Sequence, residues 1–200
     1  MRSLVIRILI CISTGFASAQ SSIRQVDFKN FTYPLSGPLL AHDELKWLGN
    51  PKDGYSKRAP IHLVNGKDLT KVGSYGDYVD WAGFSLQSVQ YLDVTSDGKE
   101  DAIVVLLYQT GGTQNTHYVY VYSFEAGKPK LLAYCYTGDR AYSGLYKVYG
   151  EHGSLVFELL DPKKMQGDCC STGFLRARYR WQNGRFARFG VPEYGRVEGP

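Results

Sequence analysis

From Leu86 onward the chain alternates apolar and polar positions with a period of two, in short runs separated by glycine-bearing turns. That period belongs to strands, whose successive side chains point to opposite faces. The runs are Leu86–Leu92, Ala102–Tyr108, His117–Glu125, Lys130–Thr137, Gly144–Gly150, Ser154–Leu160 and Phe174–Gln182. The last is joined by Asn183-Gly184 to Arg185–Phe189. Within "HYVYVYSFE", Val119 and Val121 face opposite to Tyr118, Tyr120 and Tyr122. Asn-Gly is the strongest short hairpin signal, because both central positions of a type I′ turn take positive φ. "EAGKP" from Glu125 and "GEHG" from Gly150 read as hairpin turns too. Connections this short join antiparallel neighbours and not parallel ones. The expectation is a mainly β fold: an antiparallel meander that forms a sandwich, a partial barrel or a propeller-like sheet.

Residues 20–85 are less regular. Val26–Pro34 and Ile61–Lys67 read as strands, the second with a turn at Asn65-Gly66, and Leu39–Leu48 is the one short helix expected. No linker-like stretch divides this part from the rest, so residues 20–189 are read as one domain. A chain of 200 residues is long enough to give such a domain a real core. Pro192, Gly195, Gly199 and Pro200 suggest a loose tail over residues 190–200.

The first nineteen residues have the layout of a secretory signal peptide: Arg2 and Arg7, an apolar run through Ile12, then Ala17-Ser18-Ala19. The apolar run is well short of the roughly 20 residues a bilayer needs, and no later segment qualifies, so no transmembrane segment is expected. The protein is therefore read as secreted or periplasmic. Removal of Arg2 and Arg7 lowers Lys+Arg from 23 to 21 against 19 Asp+Glu. A net charge near +2 makes no electrostatic case for nucleic acid.

Export also changes the reading of Cys135, Cys169 and Cys170, which form a disulfide framework more readily than a metal site. Adjacent residues in extended chain point to opposite sides, so only one of Cys169 and Cys170 readily faces Cys135. Such a bridge closes a loop of about 35 residues and contributes about 4 kcal/mol on the chain-entropy model. The other thiol is then free or open to a second molecule. A ring closed between the two neighbours is the third arrangement, and the sequence leaves all three open.

"YLDVTSDGKEDAIVVL", Tyr91–Leu106, crowds Asp93, Asp97, Glu100 and Asp101 into one turn between apolar runs. Asp93, Thr95, Asp97, Lys99 and Asp101 fall at alternate positions, with Gly98 at the sharp bend. Calcium takes six to eight hard oxygens, which alternate side chains and one backbone carbonyl can supply. The pattern is not an EF-hand, since Val104 stands where a bidentate Glu belongs and the flanks read as strands. D-x-T-x-D-G-x-x-D before an apolar strand resembles the calcium loop of FG-GAP and VCBS-type repeats, as in integrin α-subunits. The resemblance covers about 15 residues and a single copy. It implies Asp93, Thr95, Asp97, the Lys99 carbonyl and Asp101 as ligands, with Thr95 replacing a commoner acidic residue. An acidic surface hairpin without metal is the alternative.

Other patches are less specific. Asp139-Arg140 lies in a Gly-flanked turn that suits either a small anionic or sugar pocket or a structural ion pair. "YTGDRAYSGL" and "CCSTGFLRARYRW" resemble segments of bacterial exported proteins, a resemblance that implies no activity. Arg176, Arg178 and Arg180 alternate with apolar residues, giving a basic stripe for an acidic polymer or simply a solvated sheet face. "SYGDYVDWAGF" sets aromatics beside Asp77 and Asp80, in the manner of sugar stacking or of rim packing. His42, His62, His117 and His152 are isolated, and no catalytic motif is present. The expectation is an exported β-rich binding or structural module with a structural calcium loop, its partner a polysaccharide or another exported protein. A hydrolase of polysaccharide or anionic polymer, using Asp77, Asp80 or Asp139, is the alternative. Thiol exchange through an unpaired cysteine is the third class.

Overall fold

The structure, a computed structural model, describes residues 22–40, 60–76, 78–167 and 169–198. The export segment, Asp77 and nearly all of the expected helix over Leu39–Leu48 lie outside the described residues. Among the described residues the strands follow in order: β1 (Thr32–Tyr33), β2 (Ile61–His62), β3 (Lys67–Tyr75), β4 (Tyr78–Leu92), β5 (Asp101–Thr110), β6 (Asn115–Glu125), β7 (Lys128–Asp139), β8 (Leu145–Glu151), β9 (Ser154–Leu160), β10 (Met165–Gln166), β11 (Cys170–Ser171), β12 (Gly173–Gln182) and β13 (Arg185–Arg196). The fold is mainly β and its strand pairs are antiparallel.

The meander is divided between two large sheets. One has the order β3-β4-β5-β6-β7 and the other β13-β12-β9-β8, with no closed barrel. They face each other across an aliphatic core that includes Ile103, Val105, Val119 and Val121 from the first sheet and Leu155 and Phe157 from the second. Four two-residue turns, at Asn65-Gly66, Ala126-Gly127, His152-Gly153 and Asn183-Gly184, have both residues at positive φ. This is the mirror-image turn whose twist matches the flanking strands.

The crossover between sheets is the turn after β7. Gly138 and Gly144 bridge to each other there. A Cβ on Gly138 would collide with the Tyr142 carbonyl, and one on Gly144 with the Arg140 backbone. Two chain segments can approach this closely only without side chains.

Strands β5, β6 and β7 of the five-stranded sheet are buried on both faces along much of their length. The sheet's second face carries Tyr108, Tyr118, Tyr120 and Tyr122, covered by Ile23, Phe28 and Tyr33 of the N-terminal segment with Ile61 and Leu63. Tyr120 donates its hydroxyl to the Pro34 carbonyl at 3.0 Å, and Tyr33 donates to the Phe28 carbonyl at 2.7 Å. Residues 38–40 then run beside β7, with Leu40 N–H donating to the Tyr134 carbonyl.

Two expectations change. The segment expected as a loose tail continues β13 to Arg196, pairing Glu193–Arg196 with Gly173–Arg176. The register jumps from Arg178↔Phe189 to Arg176↔Glu193, so residues 190–192 loop out opposite Ala177. The bulge places Pro192 where it owes no ladder N–H, on an edge strand that tolerates it. The extra strand, β3, extends the first sheet and pairs with an early half of β4 that reaches back to Tyr78.

Candidate functional site

The acidic bend joins β4 to β5, and Asp93, Asp97 and one oxygen of Asp101 find donors within it. Val94, fully buried, plugs the bend into the aliphatic core. Ser96 and Gly98 take left-handed φ values of 60° and 82°, turning N–H groups inward. Asp93 accepts from the N–H groups of Asp97 at 3.3 Å and Gly98 at 2.9 Å. Asp97 accepts from Lys99 N–H at 2.9 Å. Glu100 points away from the others and pairs with Arg24, Nε to Oε2 at 2.6 Å. N–H donors and one guanidinium thus offset the repulsion among four carboxylates.

Asp101 differs from the rest, being 1 % exposed. Its Oδ2 accepts from Val94 N–H, Thr95 N–H and the Thr95 hydroxyl, each at 3.1 Å. Its Oδ1 is buried with no hydrogen-bond partner. Burial pushes this carboxyl up to about 6, against the lowering effect of the Val94 and Thr95 bonds. A buried oxygen without a donor carries its full desolvation cost.

In kind, the donors suit a hard cation: oxygen-bearing side chains at alternate positions and one buried carboxylate oxygen to spare. Among the described residues, no group of three or more His, Cys, Asp or Glu side chains is arranged to hold a metal. Asp93 and Asp97 are turned onto loop N–H groups, and Lys99 contributes its N–H to that network.

The bend is also clamped from two sides. Arg24, from the 3-10 turn Ile23–Gln25, lies over the Tyr91 ring at 4.7 Å while it holds Glu100. On the other side the Ser96 hydroxyl donates to the Gly153 carbonyl at 3.2 Å, in the β8–β9 turn. The bend therefore touches the N-terminal cover and the second sheet at once.

The remaining singled-out residues take structural partners. Asp139 accepts from Asn115 N–H at 2.7 Å and lies 3.7 Å from Arg140, in the crossover turn. Arg176 pairs with the buried Glu158 at 2.7 Å and with Glu193 at 3.3 Å. Arg178 pairs with Glu193 and with Glu151, and the Arg180 guanidinium lies 4.4 Å over Phe189. The basic stripe is thus interleaved with carboxylates from β8, β9 and β13 and is not a bare cationic face. Of the acids considered for hydrolysis, Asp80 sits on β4 opposite Gly73 of β3, while Asp139 ends β7 opposite Thr116 of β6.

Cys169 and Cys170 are joined to each other, and Cys135 is a buried free thiol. The bridge to Cys135 does not form, because Cys135 lies inside the sandwich while β10 and β11 form a separate two-stranded hairpin. Burial raises the Cys135 thiol far above its ordinary value, which suppresses the thiolate needed for exchange.

No family model, curated protein or solved structure matches the chain. Sequence reasoning passed over one group of polar residues: Gln87, Ser88, Gln90 and His117, which line a cleft between β4 and β8. The available signal was the pair Gln87-Ser88, two polar neighbours that interrupt an alternating run.

Proposed function

We propose that the chain is an exported β-sandwich module with a binding or structural role, and that its acidic bend takes a calcium ion as a structural brace. The observation that carries the reading is the buried, unpaired Oδ1 of Asp101 in a bend whose oxygen-bearing residues recur at alternate positions along the sequence. Asp93, Thr95, Asp97, the Lys99 carbonyl and Asp101 would hold the ion. Its contribution is electrostatic: it supplies the positive charge that Asp101 lacks and joins β4 to β5 at a point already tied to both neighbours. The Cys169–Cys170 disulfide supports an oxidising compartment, as export requires.

A thermal melt in calcium and in chelator tests this. A ligand at 100 times its Kd stabilises a fold by about 2.7 kcal/mol. For a chain of this length that is a rise of roughly 5–10 °C. Asp97→Ala is expected to abolish the difference. Equal melting temperatures in excess calcium and in chelator overturn the calcium assignment and leave the bend as a self-satisfied hairpin.

A further inference from the structure

Between β4 and β8 the sandwich stands open along a cleft of about 470 Å³. Its walls are two strand edges without ladder partners on this side. The pairing of β3 with β4 ends at Ser85, so Leu86–Leu92 lacks a strand there, and β8 is the last strand of its sheet. The Gln90 carboxamide spans the gap, donating to the Val148 carbonyl at 2.9 Å. The floor is Val105 with His117.

Three register irregularities meet at this cleft. The β4–β5 register shifts between Leu86 and Ser88, which leaves Gln87 extra. The β8–β9 register shifts between Leu145 and Lys147, which leaves Tyr146 extra. The β6–β7 register shifts between Thr116 and Tyr118, so two β7 residues oppose His117. Bulges re-aim side chains and gather beside functional sites. Their convergence on one cavity sets it apart from the ordinary gap at the end of a sandwich.

The chemistry of the lining is specific. Gln87 and Gln90 carry amides, Ser88 a hydroxyl and His117 an imidazole, while Tyr146 contributes a ring and Lys147 an ammonium 4.8 Å from that ring's centroid. No lining residue is acidic. Nδ1 of His117 is buried without a hydrogen-bond partner. Burial lowers the imidazole's proton affinity, with Asp139 opposing, and so keeps it able both to donate and to accept. A volume in the range of small-molecule pockets, several groups that each donate and accept, and one cation in a lining without acids describe a ligand with many hydroxyls and one negative charge.

We propose that the cleft between β4 and β8 binds a small polyhydroxylated carboxylate, such as the terminal uronate unit of an acidic glycan. The amides, the serine and the imidazole pair with hydroxyls, and Lys147, which leans over the Tyr146 ring that Phe174 backs, takes the carboxylate. The assignment gives the binding module of the preceding section its ligand class and rests on that reading only for the role of binding. It does not depend on the calcium bend.

The test is an NMR titration of the 15N-labelled protein, purified from the periplasm, with glucuronate, glucose and acetate, each run with calcium and with chelator. Glucuronate is expected to give saturable shifts at the Gln87 and Gln90 side-chain amides, the His117 ring and the β8 amides. Glucose is expected to shift the same signals about tenfold more weakly, the scale of one lost charge-assisted hydrogen bond. Lys147→Gln, a change at an exposed side chain, should bring glucuronate down to the level of glucose. Ser88→Ala should weaken both sugars. Saturable shifts from glucuronate in chelator support the cleft even where calcium has no effect on melting. Absent saturation with either sugar, an equal response to acetate, or shifts confined to Arg176–Arg180 would each overturn the proposal.

Discussion

The two faces of the five-stranded sheet are built from the same strands yet from different chemistry. On one face Ile103, Val105, Val119 and Val121 meet the second sheet in a core of mostly aliphatic side chains. On the other, the tyrosines of β6 and β7 stack on each other, Tyr120 and Tyr134 5.8 Å apart at 18°, and Tyr120 and Tyr122 meet the N-terminal segment through tilted and edge-on rings. The difference follows from what covers each face. A second pleated sheet interdigitates with compact branched side chains at high density. An irregular segment offers backbone carbonyls that need donors, and a phenol supplies a large apolar ring and a donor together. Tyr120 and Tyr134 use that donor on the Pro34 and Leu35 carbonyls. The tyrosine face therefore secures a segment that pairs with its large sheet only beside β7, at residues 38–40, while the aliphatic face holds the sandwich together.

The largest effect that sharpens this contrast is expected from Phe157→Ala, in the aliphatic core. It should cost about 3–5 kcal/mol and shift one cooperative denaturant transition for the whole chain. Tyr33→Ala removes a fully buried ring from the other face. It should cost about 2–4 kcal/mol, with amide exchange accelerating in residues 22–40 while β9 and β12 stay protected. Uniform acceleration across both sheets would show that the two faces do not differ in this way.

Hydroxyl deletion separates, at smaller scale, a tyrosine that holds a segment carbonyl from one that does not. Tyr120→Phe removes the bond to Pro34 and should cost about 1 kcal/mol. Tyr179, on the aliphatic side, has a buried hydroxyl with no partner. Tyr179→Phe should be neutral or stabilising by up to about 1 kcal/mol, since it removes an uncompensated desolvation cost. Equal losses for the two variants would contradict the division of labour.

The smallest expected effect is a pH dependence from His117, whose imidazole burial holds below the ordinary value of 6.5. As pH falls through that value the unfolded chain takes up a proton that the native ring refuses, so native stability falls. Asp139 opposes this trend. Denaturant midpoints at pH 7.5 and pH 5.5 should draw closer together in His117→Gln.

Much of the strand pattern was legible because alternation is strong wherever one or both faces are buried, as from Leu86 to Gln182. The β3 strand escaped notice because it is exposed or half-exposed at every position, so it has no alternation to read. The end of β13 escaped because Gly190 and Pro192 look like a tail when read singly, yet they form a bulge once β12 lies beside them. The acidic bend was legible as a bend and as a set of oxygens. Two of the contacts that clamp it are distant in the chain: Arg24 is 76 residues from Glu100, and Gly153 is 57 from Ser96. The cleft was the least legible, because a bulge is a property of register between two strands and no single strand records it.

By itself, the sequence determined that this protein is antiparallel β, where its hairpins turn, and which residues share a strand face, because period, turn chemistry and φ preference act over neighbouring residues. Only the tertiary structure decided how the meander divides at Gly138 and Gly144 into two sheets, that Cys169 bonds to Cys170 and leaves Cys135 buried, and that polar residues of β4, β6 and β8 share one cavity. Those outcomes depend on which distant surfaces pack together, and packing is settled by the burial and hydrogen bonding of the whole chain at once.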